Sequence, residues 1–360
     1  MAGTFRIIDT GVREGRANIA FDAALIDERQ ANHVPDTIRF LRFPPTALIG
    51  RHQDLSREID TAFCAQNDIG IVRRITGGGA IYLDEGQLGW ELVFHRSSLG
   101  IAALPDLARE ICNAAAQGLS ELGIAAQFRP RNDIEVDGRK ISGTGGFFDG
   151  DILIYQGTVL VDLNPQRMVS ALNVPESKLA KRKLDSAAER VVTLKQLLGD
   201  ELPDLETIKR ALIKGFTDRL GIRAEPGAIT GDEEHLAWKY FDEEIGTDEF
   251  VAEIDNPAGQ GEEVLAGTHT GAGGTISSFV KLEGPTRGIL QRVLISGDFF
   301  VTPPRVIFDL EAHLKGARVD EIDSAIDEFF SGNEIDMLSV APADFQASIA
   351  AALASGDGHG

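Results

Sequence analysis

Apolar and polar positions along the first two thirds of the chain follow a strand, helix, strand order. Phe5–Asp9 alternates as a strand does, and Asn18–Gln30 carries apolar residues at helical spacing. Thr37–Phe43, Ala47–Gly50 and Ile69–Ile75 read as short apolar strands, and Asp106–Leu122 as a helix whose start is marked by Pro105. The run NDIEVDGRKISGTGGFFDGDILIYQGTVLVD then holds two Asp-Gly pairs, Asp137-Gly138 and Asp149-Gly150, each between alternating apolar runs. Asp-Gly supplies the positive φ that a two-residue hairpin turn needs. Consecutive hairpins after αβ elements predict an α/β (α+β) fold, with a mixed, largely antiparallel sheet flanked by helices, and weigh against a dinucleotide fold.

Further on, Leu194–Leu198 and Leu205–Leu220 have helical patterns, and Glu225 to Asp232 collects Pro226, Gly227 and Gly231. A junction there predicts a larger domain over residues 1–228 and a smaller α+β domain over 229–354. The smaller domain shows a hairpin-like pair, Gly274–Leu282 and Gly288–Ile295, then helical patterns at Ile307–Leu314, Val319–Phe330 and Ala343–Ala354. Residues 355–360, SGDGHG, read as a flexible tail.

Composition supports two cores rather than one, since 360 residues exceed the usual size of a single core. Charge divides along the same line. The first 225 residues hold 28 Lys and Arg against 31 Asp and Glu, and the remainder 7 against 25. So acidic a chain is repelled by phosphate backbones and anionic membranes, which makes nucleic acid and membrane poor partners. No apolar run reaches membrane-spanning length and the N-terminus lacks a secretory core, so the expected location is the cytoplasm. Cys64 and Cys112 are the two cysteines, too few and too isolated for a disulfide framework or a structural zinc site.

Candidate chemistry concentrates in two places. In RRITGGGAIYLDEG, three glycines follow Arg73 and Arg74. Without Cβ atoms, Gly77, Gly78 and Gly79 let backbone amides approach a carboxylate or phosphate, and the arginines add charged donors. A bare glycine triplet also reads as a tight turn, and the spacing matches neither standard nucleotide loop. The second place is the turn Val136-Asp137-Gly138-Arg139-Lys140, which fixes Lys140 at the rim of a sheet. Alone, Lys140 reads better as an exposed strand lysine.

Taken together, these segments resemble the lipoate-protein ligase family of the biotin and lipoate ligase and acyltransferase fold group. Its pattern is an arginine pair leading into S-G-G-G-A-V-[YF]-H-D, then N-D-I…G-[RK]-K-[IV]-S-G. Here stand Arg73, Arg74, Thr76, Gly77, Gly78, Gly79, Ala80, Ile81, Tyr82 and Asp84, then Asn132, Asp133, Ile134, Gly138, Arg139, Lys140, Ile141, Ser142 and Gly143. YQGTVLVDLN resembles the family's H-H-G-[ST]-L-L strand, Ser186 to Leu194 its S-V-R-x-R-V-T-N-L segment, and Gly297 to Phe300 the G-D-F-F of its accessory domain.

The resemblance implies ATP-dependent activation of lipoate, with Mg2+, to an acyl-adenylate. A lysine of a lipoyl carrier domain, such as a 2-oxoacid dehydrogenase E2 or glycine-cleavage H-type protein, then takes the acyl group. It implies an ATP and acyl-adenylate site at Arg73, Arg74, Gly77, Gly78, Gly79, Ala80, Ile81, Tyr82, Asn132, Asp133 and Lys140, with Lys140 catalytic. It further implies an acyl pocket at Gly143, Thr144, Tyr155 and Gly157, and Asp133 as the metal ligand. Departures fall at Leu83 for the motif histidine, at Tyr155-Gln156 for the H-H pair, and at Ala188 for the first arginine of S-V-R-x-R.

Two alternatives stand beside this reading. One is an octanoyl or lipoyl transferase on the same fold that draws on acyl carrier protein, in one branch through a cysteine nucleophile. The other is a non-catalytic acyl or biotin sensor, which has no use for Lys140. The basic residues Lys178, Lys181, Arg182 and Lys183 suit either an acidic carrier or a solvated helix face.

Overall fold

The computed structural model describes residues 3–101, 103–130, 132–173, 190–259, 263–271, 273–284, 287–333, 335–337 and 340–356. Lys178, Lys181, Arg182, Lys183 and Ser186 to Ala188 lie outside the described residues. The chain divides into two compact units. The first comprises Met1–Leu48, Ile59–Arg73 and Ile81–Val251, and the second Ile49–Glu58, Arg74–Ala80 and Ala252–Gly360.

The first unit is built on strands β1 (Thr4–Val12), β2 (Thr37–Arg42), β3 (Thr46–Ile49), β4 (Gly70–Arg73), β5 (Ile81–Leu83), β6 (Gln87–His95), β7 (Gln127–Arg129), β8 (Asp133–Val136), β9 (Arg139–Asp149), β10 (Ile152–Leu160) and β11 (Arg223–Pro226). Eight of them form one sheet in the order β11-β1-β2-β6-β10-β9-β8-β7. The pairs β1/β11 and β1/β2 are parallel and the other pairs antiparallel, the mixed and largely antiparallel sheet predicted.

Helices α1 (Gly15–Gln30), α2 (Leu104–Ser120) and α3 (Leu205–Leu220) cover this sheet, and α4 (Gly231–Tyr240) packs against α1. Successive strand residues point to opposite faces. Tyr155 of β10 reaches Cys112 of α2 and Gln156 reaches Asp22 of α1, so α1 and α2 lie on opposite faces. The predicted span of α3 coincides with the observed one because both caps are local. Asp204 accepts from the Thr207 amide, and Gly221 ends the helix in the left-handed region at φ 65°.

The expected junction at residue 228 falls short of where the first unit ends, at Val251. α4 explains the difference. It begins in a capping box of Thr230 and Glu233, and the Glu233 carboxylate also takes the buried Arg6 guanidinium of β1. Arg13 pairs with Glu234 in the same way, which keeps α4 with α1.

The second unit has an antiparallel sheet of β12 (Leu265–Gly271), β13 (Gly274–Glu283) and β14 (Ile289–Gly297). Its core gathers Ile276, Val280, Val293 and Ile295 from the sheet. Helices α5 (Val306–Leu314), α6 (Ile322–Ser331) and α7 (Pro342–Gly356) add Leu310, Ile326 and Phe345. α7 includes Ser355 and Gly356, which the sequence pattern assigns to the tail.

Candidate functional site

The turn between β8 and β9 is the one the Asp-Gly pair predicts, with φ 50° at Asp137 and 75° at Gly138. Beyond it the register breaks. Lys140 stands opposite Glu135 and Ser142 opposite Ile134, leaving Ile141 as an extra residue on β9, a β-bulge. Lys140, the second residue of β9, stands just past the turn and is also paired on its other side. Its amide donates to the Arg190 carbonyl (2.8 Å) and its carbonyl accepts from the Val192 amide (2.9 Å), so the backbone is bracketed on both sides. The ammonium of Lys140 lies 2.7 Å from Asp133 Oδ1, while Arg129 Nη2 donates to Asp133 Oδ2. Burial pushes the Asp133 carboxyl up, but Lys140 and Arg129 outweigh it and hold the group below the usual carboxylate range.

Beside this ion triad is a buried polar layer. Asn132 Nδ2 donates to the Thr144 carbonyl (2.6 Å), and the Thr144 amide and hydroxyl both donate to the Asn132 carbonyl (2.9 Å each). Thr144 Oγ1 is 2.8 Å from the Tyr155 hydroxyl, and Cys112 Sγ is 3.3 Å from both oxygens. Burial drives the Tyr155 phenol and the Cys112 thiol upward from their ordinary values. Gly157 lies against the buried Trp90 indole, where a Cβ would come within 2.2 Å of Cζ2. Of the expected acyl-pocket residues, Thr144 and Tyr155 thus share one layer, and Gly143 lies under the Lys140 ammonium.

The glycine loop divides at its ends. Arg73, Ile81 and Tyr82 belong to the first unit, Arg74 to Ala80 to the second. Arg73 is fully buried and donates through Nε to the Phe250 carbonyl (3.0 Å) and through Nη2 to the Val251 carbonyl (2.8 Å). Tyr82 is buried, its phenol pushed up to about 12 by burial and by Asp84.

In the second unit Arg74 folds back onto its own loop. Its Nη2 donates to the Gly77 (3.1 Å) and Gly79 (2.9 Å) carbonyls, and burial lowers its pKa to about 10. The loop rests on the G-D-F-F segment: the Gly78 amide donates to the Phe299 carbonyl at 3.0 Å. A Cβ on Gly77 would stand 2.2 Å from that oxygen, and one on Gly78 2.5 Å from the Phe300 ring. The glycines are needed here for close packing as well as for any ligand.

One cluster is not predicted at all. On the α1 face of the sheet, Arg39 Nη1 donates to Asp22 Oδ1 (2.5 Å) and Glu91 Oε1 (2.8 Å), and Nη2 to Asn18 Oδ1 (2.7 Å). Gln156 Nε2 donates to Asp22 Oδ2 and Glu91 Oε2, each at 2.7 Å. Asn18, Asp22, Arg39 and Glu91 are completely buried. A sequence signal exists: Asn18 and Asp22 share a helix face at i, i+4, and Arg39 and Glu91 interrupt apolar strands.

The fit of Asp133 as a magnesium ligand is poor, because both its oxygens are taken by cations, Oδ1 by Lys140 and Oδ2 by Arg129. No helix among the described residues is long and apolar enough to cross a membrane.

Residues 14–217 match the family model described as the lipoyl protein ligase A/B catalytic domain. Over 269 residues the chain is 29% identical to the octanoyltransferase LipM of Kyrpidia tusciae, covering 67% of this chain and 97% of that one. It is 31% identical over 199 residues to the lipoate-protein ligase LplJ of Bacillus subtilis, covering 54% and 57%. Among solved structures, lipoate-protein ligase A bound with ATP aligns with a TM-score of 0.61 at 26% identity, over 71% of this chain and 100% of that one.

Proposed function

Because the chain belongs to the lipoyl protein ligase A/B catalytic-domain family, we propose that it is the ligase: it activates lipoate with ATP and passes the lipoyl group to a lysine of a lipoyl carrier domain. In the first half-reaction a lipoate carboxylate oxygen attacks the α-phosphorus, the bond to the β-phosphate breaks, and pyrophosphate leaves. In the second, the carrier amine attacks the acyl carbon, AMP departs, and the nitrogen loses its proton to form an amide. Lys140, held by the bulged β8/β9 hairpin, supplies positive charge where negative charge accumulates on the phosphoryl and acyl oxygens.

The relatives include transferases as well as ligases, so acyl transfer from acyl carrier protein is the competing reading. The state of the two thiols favours the ligase. Among the described residues the hydrogen-bond partners of Cys112 Sγ are the neutral hydroxyls of Thr144 and Tyr155, and that of Cys64 Sγ is the Ala171 carbonyl, at 3.9 Å. Burial raises both, Cys64 to about 11 with Asp60 adding to the effect. An acyl-accepting cysteine needs the opposite environment, a base or cation that favours thiolate.

The test is lipoate-dependent exchange of pyrophosphate into ATP without any carrier. Wild-type protein should catalyse it, and Lys140→Ala should lose about 10²–10³ in turnover while remaining folded. Absence of exchange in the wild type, together with ATP-free acyl transfer, would hand the function to the transferase.

A further inference from the structure

A row of residues runs across β7, β8 and β9 at the start of β8, away from the Asp137-Gly138 turn. Arg129 of β7 stands directly opposite Asp133 of β8, and Asp133 directly opposite Gly143 of β9. Directly paired residues share a face, so these three look the same way. In a regular strand Lys140, three positions before Gly143, would point to the other face. The extra residue Ile141 reverses that phase and brings Lys140 onto the face of Asp133 and Gly143. Gly143 then leaves the room the lysine occupies, for a Cβ there would stand 2.7 Å from Lys140 Nζ.

In that row the Asp133 carboxylate is used on both sides. Oδ1 faces Lys140 and Oδ2 faces Arg129, whose Nε also lies 3.6 Å from Glu135 Oε2. Arg129 is only half exposed, and Glu135 steadies it from the same strand as Asp133. A magnesium ion prefers carboxylates with open lone pairs and must displace competing cations. A carboxylate held between a guanidinium and an ammonium is instead a rigid support that fixes where the ammonium can go.

We propose that Asp133 is a positioning residue rather than a metal ligand: Arg129 holds its outer oxygen so that its inner oxygen aims the Lys140 ammonium over Gly143. Arg129 thereby becomes part of the catalytic arrangement without touching substrate. The assignment rests on the ligase reading only for the name of the reaction that Lys140 serves.

The variants are Arg129→Gln, Arg129→Lys, Asp133→Asn and Gly143→Ala. Arg129→Gln should lower kcat of lipoate-dependent pyrophosphate exchange by about 10-fold, the order expected when a reacting charge is misplaced, with KM for ATP within about twofold. Arg129→Lys should recover most of that loss, because the contact is a single donor rather than a bidentate fork. Asp133→Asn should lower kcat without changing the Mg2+ concentration that gives half-maximal rate. Gly143→Ala should lower kcat with an unchanged thermal midpoint, since the methyl meets the end of a flexible side chain.

A second readout does not depend on the reaction. Lys140 is acetylated with an N-hydroxysuccinimide ester and its modification rate read by peptide mass spectrometry. Freed from its anchor in Asp133→Asn and Arg129→Gln, Lys140 should label several-fold faster. An Asp133→Asn protein that keeps full kcat at saturating Mg2+ but needs far more of it would make the carboxylate a metal ligand after all. Unchanged labelling of Lys140 in both variants would equally overturn the anchor. If wild-type protein shows no exchange, the ligase reading fails, and the labelling still decides the proposal.

Discussion

Asp22 offers a prediction in which the sign and the size both follow from the buried cluster. Two carboxylates, Asp22 and Glu91, share one guanidinium, Arg39, with no access to solvent, and Gln156 donates to both. Burial first, then repulsion from Glu91, pushes the Asp22 carboxyl up to about 8, against the pull of Arg39 and Gln156. An acid whose folded pKa lies above its unfolded one binds its proton more tightly in the folded state. Its contribution to stability is complete below the unfolded value near 4 and is lost as pH rises through about 8. Between roughly pH 6.5 and 8.5 the loss amounts to about 2 kcal/mol, at 1.36 kcal/mol per unit and with the curvature near the folded pKa included.

Asp22→Asn removes the titration. It also leaves an amide nitrogen facing Gln156 Nε2, which costs a constant amount at every pH, so the slope and not the absolute stability is the measurement. Trp90 and Trp238, the two tryptophans of the chain, both lie in the first unit, so urea unfolding followed by tryptophan fluorescence reports on the unit that contains Asp22. Wild-type protein should lose about 2 kcal/mol more than the variant over roughly those two pH units. Parallel pH profiles would show that Asp22 does not carry the proton. A variant that loses more than the wild type would reverse the sign and refute the account of the cluster.

Two other outcomes follow from the site. Gly77→Ala drives a methyl into the Phe299 carbonyl, a backbone atom that cannot step aside, so the second unit should lose about 1–3 kcal/mol, as overpacking does. Pyrophosphate exchange should fall with it, and a fully active variant of unchanged thermal midpoint would contradict the packing seen here. Cys64→Ala and Cys112→Ala should retain most of the exchange turnover, and iodoacetamide should leave the folded wild-type enzyme active. A Cys112→Ala protein that folds but transfers no acyl group would revive the cysteine nucleophile.

What the sequence revealed depended on how local the determining interaction is. The β8/β9 turn was readable because Asp137-Gly138 carries its own backbone preference, and α3 because Asp204 and Gly221 cap it. β12, Leu265–Gly271, was not. Its residues are small and polar, and it is held by backbone pairing to β13 and by the close approach of α7, where a Cβ on Gly267 would meet the Ala352 nitrogen at 2.0 Å. α4 carries no helical signal in the sequence, because only Glu233 and Ala237 are buried on it, too few for an apolar stripe. The bulge at Ile141 has no signature in the sequence for a different reason: the segment around it, rich in glycine and small polar residues, carries no clear alternation, and only the pairing with β8 shows the extra residue. The seat of the glycine loop on Phe299 joins residues more than two hundred positions apart, which no local pattern encodes.

The same distinction explains the departure at Tyr155-Gln156, where the family motif carries two histidines. In sequence it is one dipeptide change, but strand alternation makes it two independent ones. Tyr155 turns toward α2 and joins Thr144 and Cys112, a layer of neutral groups whose buried hydroxyls satisfy one another. Gln156 turns toward α1 and supplies two N–H donors to two buried carboxylates. Each replacement matches the chemistry of its own face. A phenol suits a neutral layer, and a carboxamide satisfies Asp22 and Glu91 with one nitrogen and adds no charge to the cluster. Neither change touches Lys140, Asp133 or Arg129, so the arrangement that aims the ammonium is separable from the two interior faces that flank it.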